Sequence, residues 1–194
     1  FEAMNSDFTV KIGSKVPSKT HGSLEESGWE VTVADTGADT MTGGRVFRVR
    51  DYVGKETFMC TYGDGLADVN ISDLLKFHKS HGKIATLTSI QTPGRFGKLD
   101  ILEDGSVFEF YEKPDGDGMW INGGFFVLEP EIFDYLNDDV EKVQWEKGPL
   151  TKIANDNKLM AFKHTGFWKC MDALRDRIEL QSMWDSGKAR WKIW

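Results

Sequence analysis

A chain of 194 residues with 40% hydrophobic content is long enough to bury a sizeable globular core. Its formal charge of −7, from 24 basic and 31 acidic residues, argues against a nucleic-acid partner, because duplex binding depends on neutralising phosphates. Cys60 and Cys170 are too few for a disulfide scaffold and point to a reducing cytoplasm; no apolar run nears the ~20 residues that span a bilayer, and no charged-then-apolar leader opens the sequence.

In chain order, Phe8, Val10 and Ile12 already alternate as a strand does, so the front of the chain reads as truncated. Residues 13–28 are polar and carry Gly13, Pro17, Gly22 and Gly28, which predicts an exposed flap. Short β-rich apolar runs bounded by turn residues predict strands at 29–34, 57–62, 84–90, 106–111, 120–128 and 159–163. Helical spacing places Val46, Val49 and Val53 on one face of 44–53 and gathers Leu74, Leu75 and Phe77 in 72–80. The same spacing repeats Leu174, Ile178 and Met183 in 171–184. Strands alternating with helices predict an α/β fold with a largely parallel sheet. In the tail, Trp191 and Trp194 would be covered either by docking back on the same chain or by a subunit contact.

Several constellations bear chemistry. The strand at 57–62 ends in Gly63-Asp64-Gly65, and in open α/β sheets ligands bind beyond the carboxyl ends of strands. Asp64 is then either an Asx-turn residue or a hard oxygen ligand suited to Mg²⁺, which takes one or two carboxylates plus substrate phosphates. Asp172 closes a second apolar run and either caps the following helix or acts as a second such ligand. Glu112-Lys113-Pro114 puts an acceptor beside a cation, which fits sugar hydroxyls and a phosphate as well as a solvated charge pair. Asn122-Gly123-Gly124 interrupts an apolar strand, as a ligand or a neighbouring strand would require. Thr40-Met41-Thr42-Gly43-Gly44-Arg45 gathers N–H groups, two hydroxyls and a guanidinium at a helix start, the composition of an anion site. His78 and His81, three residues apart on a helix, read as surface residues, and with His21 and His164 they receive no role.

Taken together, these motifs resemble the glucose-1-phosphate cytidylyltransferases of the sugar-phosphate nucleotidyltransferase family. The resemblance also rests on Asp35-Thr36-Gly37, Thr61-Tyr62, Pro93-Gly94-Arg95-Phe96-Gly97 and Gly166-Phe167-Trp168, and it runs from about Trp29 to Trp194. It implies a Rossmann-like nucleotidyltransferase fold with a mixed, mostly parallel sheet, formed by one partial domain over residues 1–194. The family's first strand, its glycine-rich Gly-Gly-x-Gly-Thr-Arg loop and the lysine that follows are expected to be missing. The implied reaction joins CTP to glucose 1-phosphate and releases pyrophosphate and CDP-glucose, for lipopolysaccharide biosynthesis in the cytoplasm by a homo-oligomer. On this resemblance Asp64 and Asp172 are the catalytic carboxylates that hold Mg²⁺. Thr40, Arg45 and Gly63 would contact the nucleotide; Gly97, Glu112, Lys113, Asn122 and Gly123 would line the sugar-phosphate site. Lys169 stands where the family is expected to carry an uncharged residue, which leaves a phosphate contact open.

Overall fold

The computed structural model describes residues 7–9, 19–21, 31–91, 98–111, 119–136 and 139–193. The chain forms two compact units, Phe1–Asp35 and Thr36–Trp194. In the first, β1 (Asp7–Thr9) pairs antiparallel with β2 (Lys19–His21), with Phe8 opposite Thr20. The strand expected at 29–34 does not form over its described part: residues 31–34 are irregular, and Val33 is 94% exposed. Alternating valines favour a strand only where a neighbour takes the backbone hydrogen bonds, and among the described residues none does.

The second unit is built on a four-stranded sheet of β3 (Phe58–Thr61), β5 (Ala85–Ile90), β8 (Ile121–Leu128) and β9 (Leu159–His164), in the order β3-β8-β5-β9. β8 is antiparallel to β3 and β5, and β5 is parallel to β9. Three strands therefore run one way and β8 opposes them, the mixed, mostly parallel sheet that the sequence predicts. Period-two alternation along β8 assigns its faces. Phe126 and Leu128 join Ala85, Ile132, Leu136, Trp145, Leu150 and Ile153 in the larger core. That face is covered by a 3₁₀ turn (Pro130–Tyr135) and α4 (Pro149–Asn155). Val127, between them, packs with Val69 and Leu74. Leu74 belongs to α3 (Ile71–His81), which Asn70 caps by accepting the Asp73 N–H (3.1 Å) and which Gly82 ends at φ 64°.

His78 on α3 is buried, at 2% exposure, which corrects the surface placement expected for it. Its neighbours fix the protons. The Lys83 N–H donates to His81 Nδ1 (3.0 Å), so His81 carries its hydrogen on Nε2 and donates to Thr86 Oγ1 (2.8 Å). The Thr86 hydrogen then goes to His78 Nδ1 (2.8 Å), and His78 Nε2–H donates to Glu129 Oε1 (3.0 Å). Thr57 donates to the same oxygen (2.8 Å). Burial opposes ionisation of Glu129, but the hydrogen bonds from His78 and Thr57 outweigh it and hold the carboxyl below its ordinary pKa.

Two smaller ladders complete the unit. β6 (Lys98–Ile101) pairs antiparallel with β7 (Val107–Tyr111). β4 (Gly65–Ala67) pairs antiparallel with β10 (Trp168–Cys170). α5 (Leu174–Asp185) follows; its Leu180 packs with Phe167 and Trp191, and the Phe167 and Trp191 rings stack at 5.7 Å. Trp191 thus docks back onto its own chain, while Trp194 lies outside the described residues. The helical repeat reads only half correctly. Leu174 and Ile178 face solvent, at 69% and 60% exposure, and Leu180 and Met183 make the contact with the tail.

Candidate active site

Asp64 and Asp172 are brought together by the β4/β10 ladder. Gly65 stands opposite Cys170, and one step further the Met171 N–H donates to the Asp64 carbonyl (2.9 Å). The two aspartates therefore sit at one end of two paired segments, both exposed. Their alternative roles are not realised. The Asp64 carboxylate caps no backbone N–H among the described residues, so its place is not that of an Asx turn. The N-cap of α5 is Ala173, whose N–H is taken by Asp176 (3.0 Å) rather than by Asp172. Asp172 instead accepts the Cys170 thiol (3.2 Å). Burial, then that hydrogen bond and the Asp172 charge, push the Cys170 pKa up and keep it a thiol.

Two exposed carboxylates with hard oxygens, free of a capping duty, fit a divalent ion that completes its shell with substrate phosphates and water. Among the described residues no group of three or more His, Cys, Asp or Glu stands together as a metal cage.

Gly63 is exposed, and a Cβ placed on it would meet nothing within 4 Å, so the space beside the aspartate is open. Tyr62, one residue earlier, is tied down on several sides. Its N–H donates to the Gly124 carbonyl (3.1 Å), and its hydroxyl donates to Glu146 Oε1 (2.6 Å) and accepts from Asn122 Nδ2 (3.2 Å). Burial and the Glu146 carboxylate push the phenol pKa well above its ordinary value, so Tyr62 remains a hydrogen-bond donor. Asn122 Oδ1 accepts the Gly124 N–H (2.9 Å), and among the described residues its second amide hydrogen meets no acceptor. Gly123 is closely packed on one side: its Cβ would lie 3.0 Å from the Thr88 carbonyl oxygen, and its own carbonyl accepts the Trp168 indole N–H (2.7 Å). Trp168 so joins β10 to β8.

The helix start at α1 (Thr42–Arg48) differs from the cradle of free N–H groups that its composition suggests. The Met41 N–H donates to the Glu141 carbonyl (2.9 Å), and those of Gly43 and Gly44 donate to Val143 (2.9 and 3.3 Å). Gly44 permits that approach, because a Cβ there would fall 1.8 Å from the Val140 carbonyl. Thr40 is buried and accepts from Arg48 (2.7 Å), whereas Arg45 reaches back to Thr36 Oγ1 (2.8 Å) and the Ala38 carbonyl (3.1 Å). Helix α1 ends at Val49, and α2 (Arg50–Val53) follows at once. Lys169 points away from a phosphate role in this arrangement, since it pairs with Glu179 and lies 3.9 Å from Asp176 on α5. Gly97, Glu112 and Lys113 lie outside the described residues. Sequence reasoning missed Glu146 altogether.

A family model described as nucleotidyl transferase matches residues 18–180. A glucose-1-phosphate cytidylyltransferase from Salmonella typhi is 50% identical over 190 residues, covering 97% of this chain and 72% of that protein. The chain belongs to the nucleotidyltransferase family, among the glucose-1-phosphate cytidylyltransferases. A probable glucose-1-phosphate cytidylyltransferase from Bacillus subtilis is 41% identical over 192 residues, covering 97% of this chain and 74% of its own length. In fold, the chain is similar to a Bacillus anthracis crystal structure provisionally described as a glucose-1-phosphate thymidylyltransferase in complex with a sucrose. The TM-score is 0.59 at 14% identity, and the match covers 79% of this chain. The chain spans 63% of the length of that structure. No helix among the described residues is long and apolar enough to cross a membrane.

Proposed function

We propose that this nucleotidyltransferase chain serves the transfer of a cytidylyl group from CTP to glucose 1-phosphate. One observation supports the reading: the Asp64 carbonyl to Met171 N–H bond, which brings Asp64 and the Met171-Asp172 step to the same end of the β4/β10 ladder. Half-identity to the Salmonella typhi protein supports the choice of CTP and glucose 1-phosphate. A phosphate oxygen of the sugar phosphate attacks the α-phosphorus of CTP; the new P–O bond forms as the bond to the β-phosphate oxygen breaks, and pyrophosphate leaves. No protein nucleophile is needed, so positioning and charge neutralisation supply the rate.

Asp64 and Asp172 would hold Mg²⁺, which supplies charge neutralisation between two anionic substrates on a protein of net charge −7. Gly63 leaves room for the nucleotide, which Thr40 and Arg45 would also contact. Asn122 offers its remaining amide hydrogen to the sugar phosphate, with Gly123, Gly97, Glu112 and Lys113 completing that site. The two free cysteines fit work in a reducing cytoplasm, in lipopolysaccharide biosynthesis. Self-association into a homo-oligomer belongs to the same reading and is checked by sedimentation.

The test is pyrophosphate release with Mg²⁺ and glucose 1-phosphate, with CTP, UTP and dTTP in competition. The reading expects CTP to be preferred. Preference for UTP or dTTP overturns the base assignment, and binding of CDP-glucose without turnover marks the chain as a binding body alone.

A further inference from the structure

Glu146 lies outside every motif that pointed to the site, yet its carboxylate joins the two sides of it. Oε1 accepts the Tyr62 hydroxyl (2.6 Å), and Oε2 accepts the Thr42 hydroxyl (3.1 Å). Both donors are committed in direction. Thr42 Oγ1 already accepts the Trp145 N–H (2.9 Å), and the Tyr62 oxygen already accepts from Asn122 (3.2 Å), so each hydroxyl hydrogen is turned to Glu146. Hydrogen bonds to an ionised acceptor are roughly twice as strong as neutral ones.

Glu146 is itself exposed, but it is flanked by packed aromatic rings. Trp145, beside Glu146, is 2% exposed and meets Phe126 edge-on at 5.9 Å; Phe126 in turn meets the Tyr62 ring edge-on at 5.7 Å. Gly124, at φ 80°, leaves the space for that ring, since a Cβ there would lie 2.6 Å from Tyr62 Cδ2.

A simple clasp between α1 and the segment around residue 143 does not account for Glu146. Backbone bonds from Met41, Gly43 and Gly44 already hold those segments together without its side chain. What the carboxylate adds is a link from Thr42, between Thr40 and Arg45, to Tyr62, next to Gly63 and Asp64, and onward to Asn122.

We propose that Glu146 is a positioning residue that couples the nucleotide side of the site, through Thr42, to the sugar-phosphate side, through Tyr62 and Asn122. This rests on the assignment of those two sides made under the proposed function. Each arm has its own hydroxyl, so the arms are separable: removing one hydroxyl frees one side, and removing the carboxylate frees both.

The test is titration calorimetry of the full chain in Mg²⁺, with CTP alone and with glucose 1-phosphate alone, beside a thermal melt. Tyr62→Phe is expected to weaken glucose 1-phosphate about tenfold, near 1.4 kcal/mol, and CTP by less than about twofold. Thr42→Val is expected to do the reverse, with Thr42→Ser restoring CTP affinity. Glu146→Ala is expected to weaken both ligands, and Glu146→Gln to recover part of the loss, because its amide oxygen accepts one of the two hydroxyls. Should Glu146→Ala fail to fold, the other variants carry the test. A merely structural role would lower the melting temperature and weaken both ligands alike in every variant, and that result overturns the proposal while wild-type binding stands. A wild-type chain that binds neither ligand overturns the functional reading and the coupling with it.

Discussion

Two regions of the second unit treat their polar groups in opposite ways. Between α3 and β5, Lys83 N–H, His81, Thr86, His78, Glu129 and Thr57 form one directional chain in which each donor meets an acceptor inside the protein. At the end of the β4/β10 ladder, Asp64 and Asp172 stand exposed; the only side-chain partner among the described residues is the Cys170 thiol on Asp172. Buried polar groups must be paired within the fold or they destabilise it, whereas exposed carboxylates left in company are available to a ligand. The difference separates histidines whose bonds are spent inside the fold from aspartates proposed here to meet a ligand, although both kinds of residue attract attention as metal ligands in a sequence.

That contrast can be broken by substitution. The largest stability loss is expected from Gly124→Ala, a residue of the site that works through the fold: its φ of 80° alone costs a side chain about 1–3 kcal/mol, and the Cβ also meets the Tyr62 ring. A melt unchanged from wild type would show that Gly124 belongs to the ligand instead. Next, Thr86→Val keeps the shape but leaves His78 Nδ1 and His81 Nε2 without their shared hydroxyl, at about 1–3 kcal/mol by urea unfolding, with ligand affinity of the folded protein retained.

A pH series gives a smaller effect with a definite sign. Burial, aided by His78 and Lys83, holds the His81 pKa below the ordinary histidine value. The unfolded chain therefore binds this proton first, and stability falls as pH drops below about 6.5 towards the folded-state value. Glu129, held below its ordinary pKa, adds a second loss only at lower pH, beneath about 4.3. Stability that rises as pH falls through 6 would contradict the tautomers assigned to the chain of hydrogen bonds. The smallest stability change, within about 0.5 kcal/mol, is expected of Gly63→Ala, where a Cβ meets nothing. Its nucleotide affinity should nonetheless fall, because the open space is what the nucleotide would fill.

Much of the frame was legible because it is local. The strands at 58–61, 85–90, 107–111, 121–128 and 159–164 coincide with apolar runs bounded by turn residues, and α3 with its helical spacing. What failed was relational. Val31 and Val33 carry a strand pattern, but a strand needs a neighbour that the pattern cannot name. His78 reads as a surface residue until Glu129, 51 positions away, is brought against it. In the candidate site, the glycines and apolar runs beside Asp64 and Asp172 single them out in the sequence, and the structure brings their two segments to one end of a ladder. Glu146 was not, since its two partners lie 84 and 104 positions away and its own surroundings carry no signature.

The pairing of Asp64 with Asp172 is the central claim, and the Mg²⁺ dependence of CDP-glucose binding tests it most directly. Calorimetry on wild type, Asp64→Asn and Asp172→Asn, with Mg²⁺ and again with EDTA, should show binding that chelation abolishes in wild type. Either substitution should remove the Mg²⁺-dependent part, at least about a hundredfold, while the melting temperature holds. Retained Mg²⁺-dependent affinity in both variants would contradict the account.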